Sequence, residues 1–239
     1  MRPRKTDKTA SKPRRTSAKR PPARAAMRED GAQTKQQLLE VAGRVFAERG
    51  YVYATSKEIC ERAGANIAAV NYHFGGKDGL YAAVLEEAHA RLVSIDLVTA
   101  ITQSAASAAD KLKLLLRKVV SEVAKRDEGA WELRVLSREL VAPTSLVDKM
   151  MKNQVVPKAR MITAMIGDIL GLPATHPAVS RSTVSIVGPC LFMLIASPDW
   201  QKKIFPALLV DTDALVDHMV AFALGGLQSI AAQLPRSSR

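Results

Sequence analysis

The sequence is poor in the residues that staple small secreted folds. It holds two cysteines in 239 residues, Cys60 and Cys190. Both lie inside apolar helical patterns, so each reads as a small core residue and no disulfide framework is expected. Aromatics reach only 5%, against 47% hydrophobic residues dominated by Ala, Leu and Val. That mixture favours helices over a sandwich or barrel, and there is no strand alternation, no Asn-Gly hairpin signal and no internal repeat. No stretch has the ~18 uninterrupted apolar residues of a membrane span. No apolar run follows the N-terminal charges, so a secretory signal is not expected either. The cytoplasm is the default location, and no membrane partner is expected. No HExxH, CxxC, GxSxG or P-loop pattern occurs. His89, His176 and His218 are scattered without metal-ligand spacing, and Glu86-Glu87 reads as a solvated face. No metal, cofactor or catalytic constellation follows from the sequence.

Acidic residues are nearly missing from one region. The net charge is +12, but residues 1–28 hold 11 Lys and Arg against the single acid Asp7, which is +10 of it. The remaining chain is nearly neutral. A polybasic arm attracts nucleic acid or an anionic surface; a solubilising arm or a cloning remnant is the plain alternative. Residues 1–30 are rich in Lys, Arg, Pro, Ser and Thr and carry no periodic apolar residues. They cannot bury enough surface to offset the entropy of ordering, so they are predicted to be a disordered basic arm.

From Thr34 onward the apolar residues recur at helical spacing. Thr34 with Gln37 suggests a capping box, and Leu38, Ala42, Val45 and Phe46 follow on one face up to Gly50. Thr55 with Glu58 opens a short helix with Ile59, Cys60 and Ala63 inward, closed by Gly64. Asn66 is a good N-cap for a third segment to Phe74, with Ile67, Val70 and Phe74 on one face. After Gly75-Gly76 a fourth helix is predicted from Lys77 through Leu92 to Ile95. The rest is helical in pattern, with Pro157 predicted to kink a long helix after Ser145, a loop around Pro198 to Pro206, and a last helix from Asp213 to Gln233.

Two short helices joined by a tight turn fit a helix-turn-helix, whose first helix crosses the DNA backbone while the second enters the major groove. Ala68 and Ala69 would let the second helix approach the bases closely. Asn71 is the base reader that chemistry favours, because an amide can bond adenine in a bidentate way. Tyr72 and His73 can donate to phosphates, and Lys77 brings charge and a helix N-terminus. Thr55, with Ser56 beside it, and Asn66 can each cap a helix and touch a phosphate. Basic arm residues could also enter a flanking minor groove.

The run from Thr34 to Leu80 resembles the DNA-binding domain of the TetR family. The matching pieces are Phe46-Ala47-Glu48-Arg49-Gly50, Ala54-Thr55, Ala63-Gly64 and Tyr72-His73-Phe74 followed by Lys77. Asn66 stands where the family often has Ser or Thr, and Asn71 where it often has Tyr. "ELRVLSRELVAPT" and "VGPCLFMLIA" are similar to one branch, the CecR-like repressors, which answer to antimicrobial compounds. The resemblance implies an all-α fold: a three-helix DNA-binding domain over residues 31–78 and a larger helical ligand-binding and dimerisation domain over 79–239. It implies a transcriptional repressor and not an enzyme, with three partners: double-stranded operator DNA, a small-molecule effector and a second copy of the chain. The final helix agrees, with Val216, Met219, Val220, Ala223, Leu224, Leu227 and Ile230 on it. The preceding helix is apolar on nearly all sides from Val184 to Ala196, so it must be buried.

Effector contacts are expected from the polar or aromatic groups Trp131, Arg134, Arg138 and Gln154 beside the apolar stripes, and from the flexible thioethers of Met151 and Met161. A methionine stripe, however, is core more often than pocket. Two other readings remain open from the residues: an all-helical enzyme, for which no constellation is present, and an architectural protein that coats DNA through its arm.

Overall fold

The computed structural model describes residues 23–125 and 130–234. Among these residues the chain forms twelve α-helices and one π-helical turn, with no strand. Four helices make the N-terminal part: α1 (Ala23–Tyr53), α2 (Ser56–Ala63), α3 (Ile67–Phe74) and α4 (Lys77–Leu92). The remainder comprises α5 (Ile95–Gln103), α6 (Ala108–Ala124), α7 (Trp131–Val141), α8 (Val147–Met150), the π turn Met151–Val155, α9 (Val156–Leu170), α10 (Pro177–Ile195), α11 (Pro198–Ile204) and α12 (Thr212–Gln233).

Local chemistry accounts for most boundaries. Thr55 accepts from Glu58 N, and Asn66 accepts from Ala69 N, so α2 and α3 begin where a side chain replaces the missing intrahelical carbonyl. Gly64 and Gly75 take the left-handed backbone that closes those helices. Gly50 also has positive φ and breaks the α1 run before its last three residues.

Four expectations change. The expected basic arm lies outside the described residues up to position 22, but from Ala23 the backbone is already helical. The alanine-rich segment continues α1 backwards, since strong helix formers extend an existing helix at little cost. Thr34 therefore lies inside α1 and not at its start, and Gln37 donates to Ala63 O across to α2. The fourth helix stops at Leu92: Val93 is extended, and Ser94 accepts from Leu97 N to start α5 as a separate helix. The segment after Pro198 is the short helix α11, capped by Ser197, where a loop is predicted. Pro157 is accommodated in the first turn of α9 directly after the π turn, a wide turn that absorbs the proline's missing N–H.

Three apolar clusters fill the interior. The first joins Leu38, Phe46, Ile59 and Val70 of α1–α3 to Leu80 and Leu85 of α4, and continues without a seam into Trp131, Val135 and Leu136 of α7. The boundary drawn at residue 78 thus cuts through one continuous core. The second cluster packs α5 and α6 against α9, with Val98, Leu112 and Ile166. The third joins α6 to α10 and α12 through Val120, Met193 and Val216. Lys113–Asp217 at 2.6 Å and Arg117–Asp213 at 3.3 Å tie α6 to α12 at the surface.

Candidate nucleic-acid interface

The α2–turn–α3 unit has a dry inner side and an open outer side. Ile59, Cys60 and Ala63 of α2 and Val70 of α3 are buried in the first core cluster. Facing outward on α3 are Ala68, Asn71 and Tyr72, the last 84% exposed. Ala69 is half-buried, and its N–H is taken by Asn66. A small residue, an amide and a phenol therefore share one solvent-facing helix surface, which suits close approach to base edges and phosphates. His73 is half-buried, with its ring edge-on to Tyr72 at 4.9 Å and near Phe74. Thr55 is exposed and Ser56 half-buried at the start of α2.

The unit is braced from behind. Arg62 bonds Glu48 and Glu58, and Arg49 bonds Glu58, each at 2.8 Å, so these guanidiniums are used to lock α2 on α1. Lys77 differs from a free phosphate ligand: its ammonium sits 4.5 Å over the Tyr51 ring. The Tyr51 hydroxyl donates to Asp78. Gly76, which precedes α4, offers no capping side chain, leaving the first N–H groups of α4 beside the end of α3. A Cβ on Gly79 would overlap the Phe74 carbonyl, so only glycine allows α3 and α4 to approach this closely. Two exposed residues escaped the sequence reading. Tyr53, at 79% exposure, and Lys57 flank the start of α2 on the solvent side. Their signal was only proximity to Thr55.

The six effector candidates do not share a cavity. Trp131 is buried between the two parts of the molecule, with Nε1 donating to Glu40 Oε1 at 2.9 Å. A Cβ on Gly43 would fall 2.5 Å from the indole, so the ring lies flush on α1. Arg91 of α4 stacks 5.2 Å from the same ring and bonds Glu40, Glu87 and Glu132. Burial works against that guanidinium's charge, but bonds to three carboxylates outweigh it and raise its pKa further. Burial would raise the Glu40 pKa, yet hydrogen bonds from Trp131 and Arg91 leave it lowered. Arg138 donates to Glu48 O at 3.4 Å, again reaching α1. Arg134 and Met151 are exposed. Gln154 accepts from the buried Lys158, and Met161 accepts from Thr99. Trp131 and Arg138 thus serve the junction with α1, and the rest are spread along α7, the π turn and α9.

Comparison with known proteins places this geometry. Residues 38–84 match the family described as "Bacterial regulatory proteins, tetR family". Residues 108–227, half of the chain, match "HTH-type transcriptional dual regulator CecR, C-terminal domain". The chain belongs to the TetR family, in its CecR-like branch. It is 28% identical over 174 residues to the HTH-type transcriptional dual regulator CecR of Shigella flexneri, covering 70% of this chain and 78% of that protein. It is 27% identical over 196 residues to the HTH-type transcriptional activator FasR of Mycolicibacterium smegmatis, covering 81% of this chain and 83% of that one. Among solved structures, the fatty acid degradation regulator FadR from Bacillus halodurans superposes with a TM-score of 0.61 at 22% identity, covering 80% of this chain and 98% of that one. FadR from Bacillus subtilis, in complex with stearoyl-CoA, gives 0.59 at 17%, covering 80% and 98%. The TetR-family protein is therefore a DNA-binding helix-turn-helix transcription regulator and not an enzyme.

Proposed function

We propose that the protein is a homodimeric repressor that reads a pseudo-palindromic operator and leaves it when a small molecule binds the larger helical part. The observation that carries this reading is the outward face of α3, where Asn71 and Tyr72 are exposed while Val70 beneath them is fully buried. Asn71 reads a base, and Ala68 and Ala69 let the helix seat deeply. Thr55, Ser56, Asn66, Tyr72, His73 and Lys77 hold phosphates.

Dimerisation follows from surface that water should not keep. Val184 and Phe222 are 71% and 75% exposed, and Leu191, Phe192 and Ile195 are exposed beside them. Between α10 and α12 runs an apolar groove of about 380 Å3 floored by Leu116. A second copy covering this face buries it isologously and sets two recognition helices a fixed distance apart. By length and composition α10 and α12 could also cross a membrane; coverage by a partner in the cytoplasm accounts for the same exposed residues.

Arg134, Met151, Gln154 and Met161 share no cavity, so an effector in the larger part meets only a subset of them, with Trp131 and Arg138 at the junction passing the change to α1. The stearoyl-CoA in a neighbour of the same fold favours an effector with a long apolar tail. The antimicrobial compounds suggested by the CecR-like branch are the other ligand class. Activation in place of repression is a second reading, favoured by the likeness to a relative named as an activator.

Sequencing duplexes that the purified full chain selects from random DNA tests the core of this proposal. An inverted repeat is expected; fragments without one would end it. Placing the selected site before a reporter separates repression from activation. Removing residues 1–28 should leave the specific site bound, whereas an architectural protein would lose nearly all binding.

A further inference from the structure

Lys158 is among the few charged residues buried in the described structure, at 3% exposure. No carboxylate pairs with it among the described residues. Its ammonium instead reaches three neutral acceptors: His89 Nδ1 at 2.7 Å, Val93 O at 2.7 Å and Gln154 Oε1 at 3.1 Å. His89 lies in the last turn of α4, and Val93 is the residue that ends that helix. An uncompensated buried charge is costly, and an apolar side chain of similar volume is often neutral or stabilising in its place. Its position at the end of α4 suggests what the cost secures.

α4 touches both parts of the molecule, since Leu80 and Leu85 share one core with α1–α3 and with α7. Its first turn abuts the end of α3 through Gly79 and Phe74, and Asp78 holds Tyr51. Its far end is gripped from the π turn and its flanks. Lys149 pairs with Glu86 at 3.2 Å, Asn153 bonds Glu86, and Lys158 takes His89 and Val93. π turns are metastable insertions that recur at functional positions.

We propose that Lys158 is the positioning residue that sets α4, and through it the recognition helix α3, in the DNA-reading arrangement by fastening the C-terminal end of α4 to the π turn and α9. The inference needs the DNA-binding role of the family and is independent of the repressor and effector readings. The ammonium satisfies the orphan carbonyl at Val93 and complements the negative end of α4. Both effects vanish if α4 slides or turns by a few ångströms, so the contact selects one position of the helix.

Titration sharpens the idea. Burial pulls the Lys158 pKa down to about 8, and burial with the adjacent ammonium pulls His89 down to about 4, so His89 is neutral throughout the neutral range. Glu86 of α4 is engaged by Lys149 and Asn153, and α5, α10 and α12 offer no charged side chain bonded to the ammonium among the described residues. A lysine whose folded pKa is depressed costs stability below that pKa and recovers it as pH rises toward the unfolded value. The charge therefore weakens the fold at pH 7 while completing the three-donor clasp. Above about 8 one donor is lost.

The test uses the full chain and a duplex selected by the wild-type protein from random DNA. Operator Kd and thermal midpoint are measured for wild type, Lys158→Met and His89→Leu. Lys158→Met should bind roughly tenfold more weakly, within the usual range of coupling between sites, while its Tm at pH 7 is equal or higher. His89→Leu should weaken binding in the same direction by less. The ratio of Lys158→Met to wild-type Kd should shrink between pH 7 and pH 9. The proposal fails if both variants bind within twofold of wild type, if affinity falls only in step with a falling Tm, or if the ratio is flat with pH. If Lys158→Met does not fold, His89→Leu decides by the same two readouts. Absence of any selected duplex for wild type would instead count against the operator reading.

Discussion

The helix-turn-helix and the helices around α7 and α9 place their polar side chains by different rules. In α2 and α3 each decisive bond spans three residues: Glu58 N to Thr55, and Ala69 N to Asn66. Around α7 and α9 the partners lie far apart in the chain. Trp131 bonds Glu40 at a separation of 91 residues, Lys158 meets His89 at 69, and Tyr81 bonds Glu139 at 58. The first region builds its functional face by itself and needs the rest only for support. The second region has functional side chains only because other helices arrive beside them. A substitution in the first should therefore alter what is read, and one in the second should alter whether the reading unit is held in place.

Four substitutions can break or sharpen that contrast. Trp131→Ala has the largest expected effect. It removes a buried indole and strands Glu40 and Arg91, so unfolding free energy should fall by about 3–5 kcal/mol, visible as a lower denaturant midpoint. A loss under 1 kcal/mol would mean that α7 and α1 are not packed together. Gly43→Ala pushes a methyl into the indole and should cost about 1–3 kcal/mol by the same measurement. Asn71→Ala should leave stability unchanged and cost about 1–3 kcal/mol of discrimination at one base pair, relaxing the selected motif there. A uniform loss across all duplex variants would remove Asn71 from base reading. Asn66→Ala deletes a cap and should cost about 1 kcal/mol in chemical denaturation, with the base preference kept. If stability effects fell on Asn71 and preference effects on Trp131, the contrast would be reversed.

The legible part of the molecule was the part governed by near neighbours. The caps at Thr55 and Asn66, the turn at Gly64 and the inward set Ile59, Cys60, Ala63 and Val70 all follow from residues within one or two helical turns. The same reasoning failed at Thr34, because a cap pattern cannot tell that alanines upstream already continue the helix. It missed Ser94, a capping serine hidden inside an unbroken apolar rhythm. It expected effector contacts from Trp131, Arg138, Gln154 and Met161 because all stand beside apolar stripes. Their partners Glu40 and Glu48 lie on α1 and Thr99 on α5, helices far off in sequence that nothing in the local pattern announces; only Lys158, four residues beyond Gln154, is a near neighbour.

The amino-acid order alone determined an all-helical chain with an exposed reading helix, because helix periodicity, caps and glycine turns act over three or four residues and are written in adjacent letters. Tertiary structure alone decided that the indole of Trp131 lies on Gly43, that Arg91 gathers three carboxylates, and that a buried lysine clasps the end of α4. Those contacts depend on the angles and distances at which whole helices pack. These are set by the summed fit of many side chains, and no single stretch of sequence contains them.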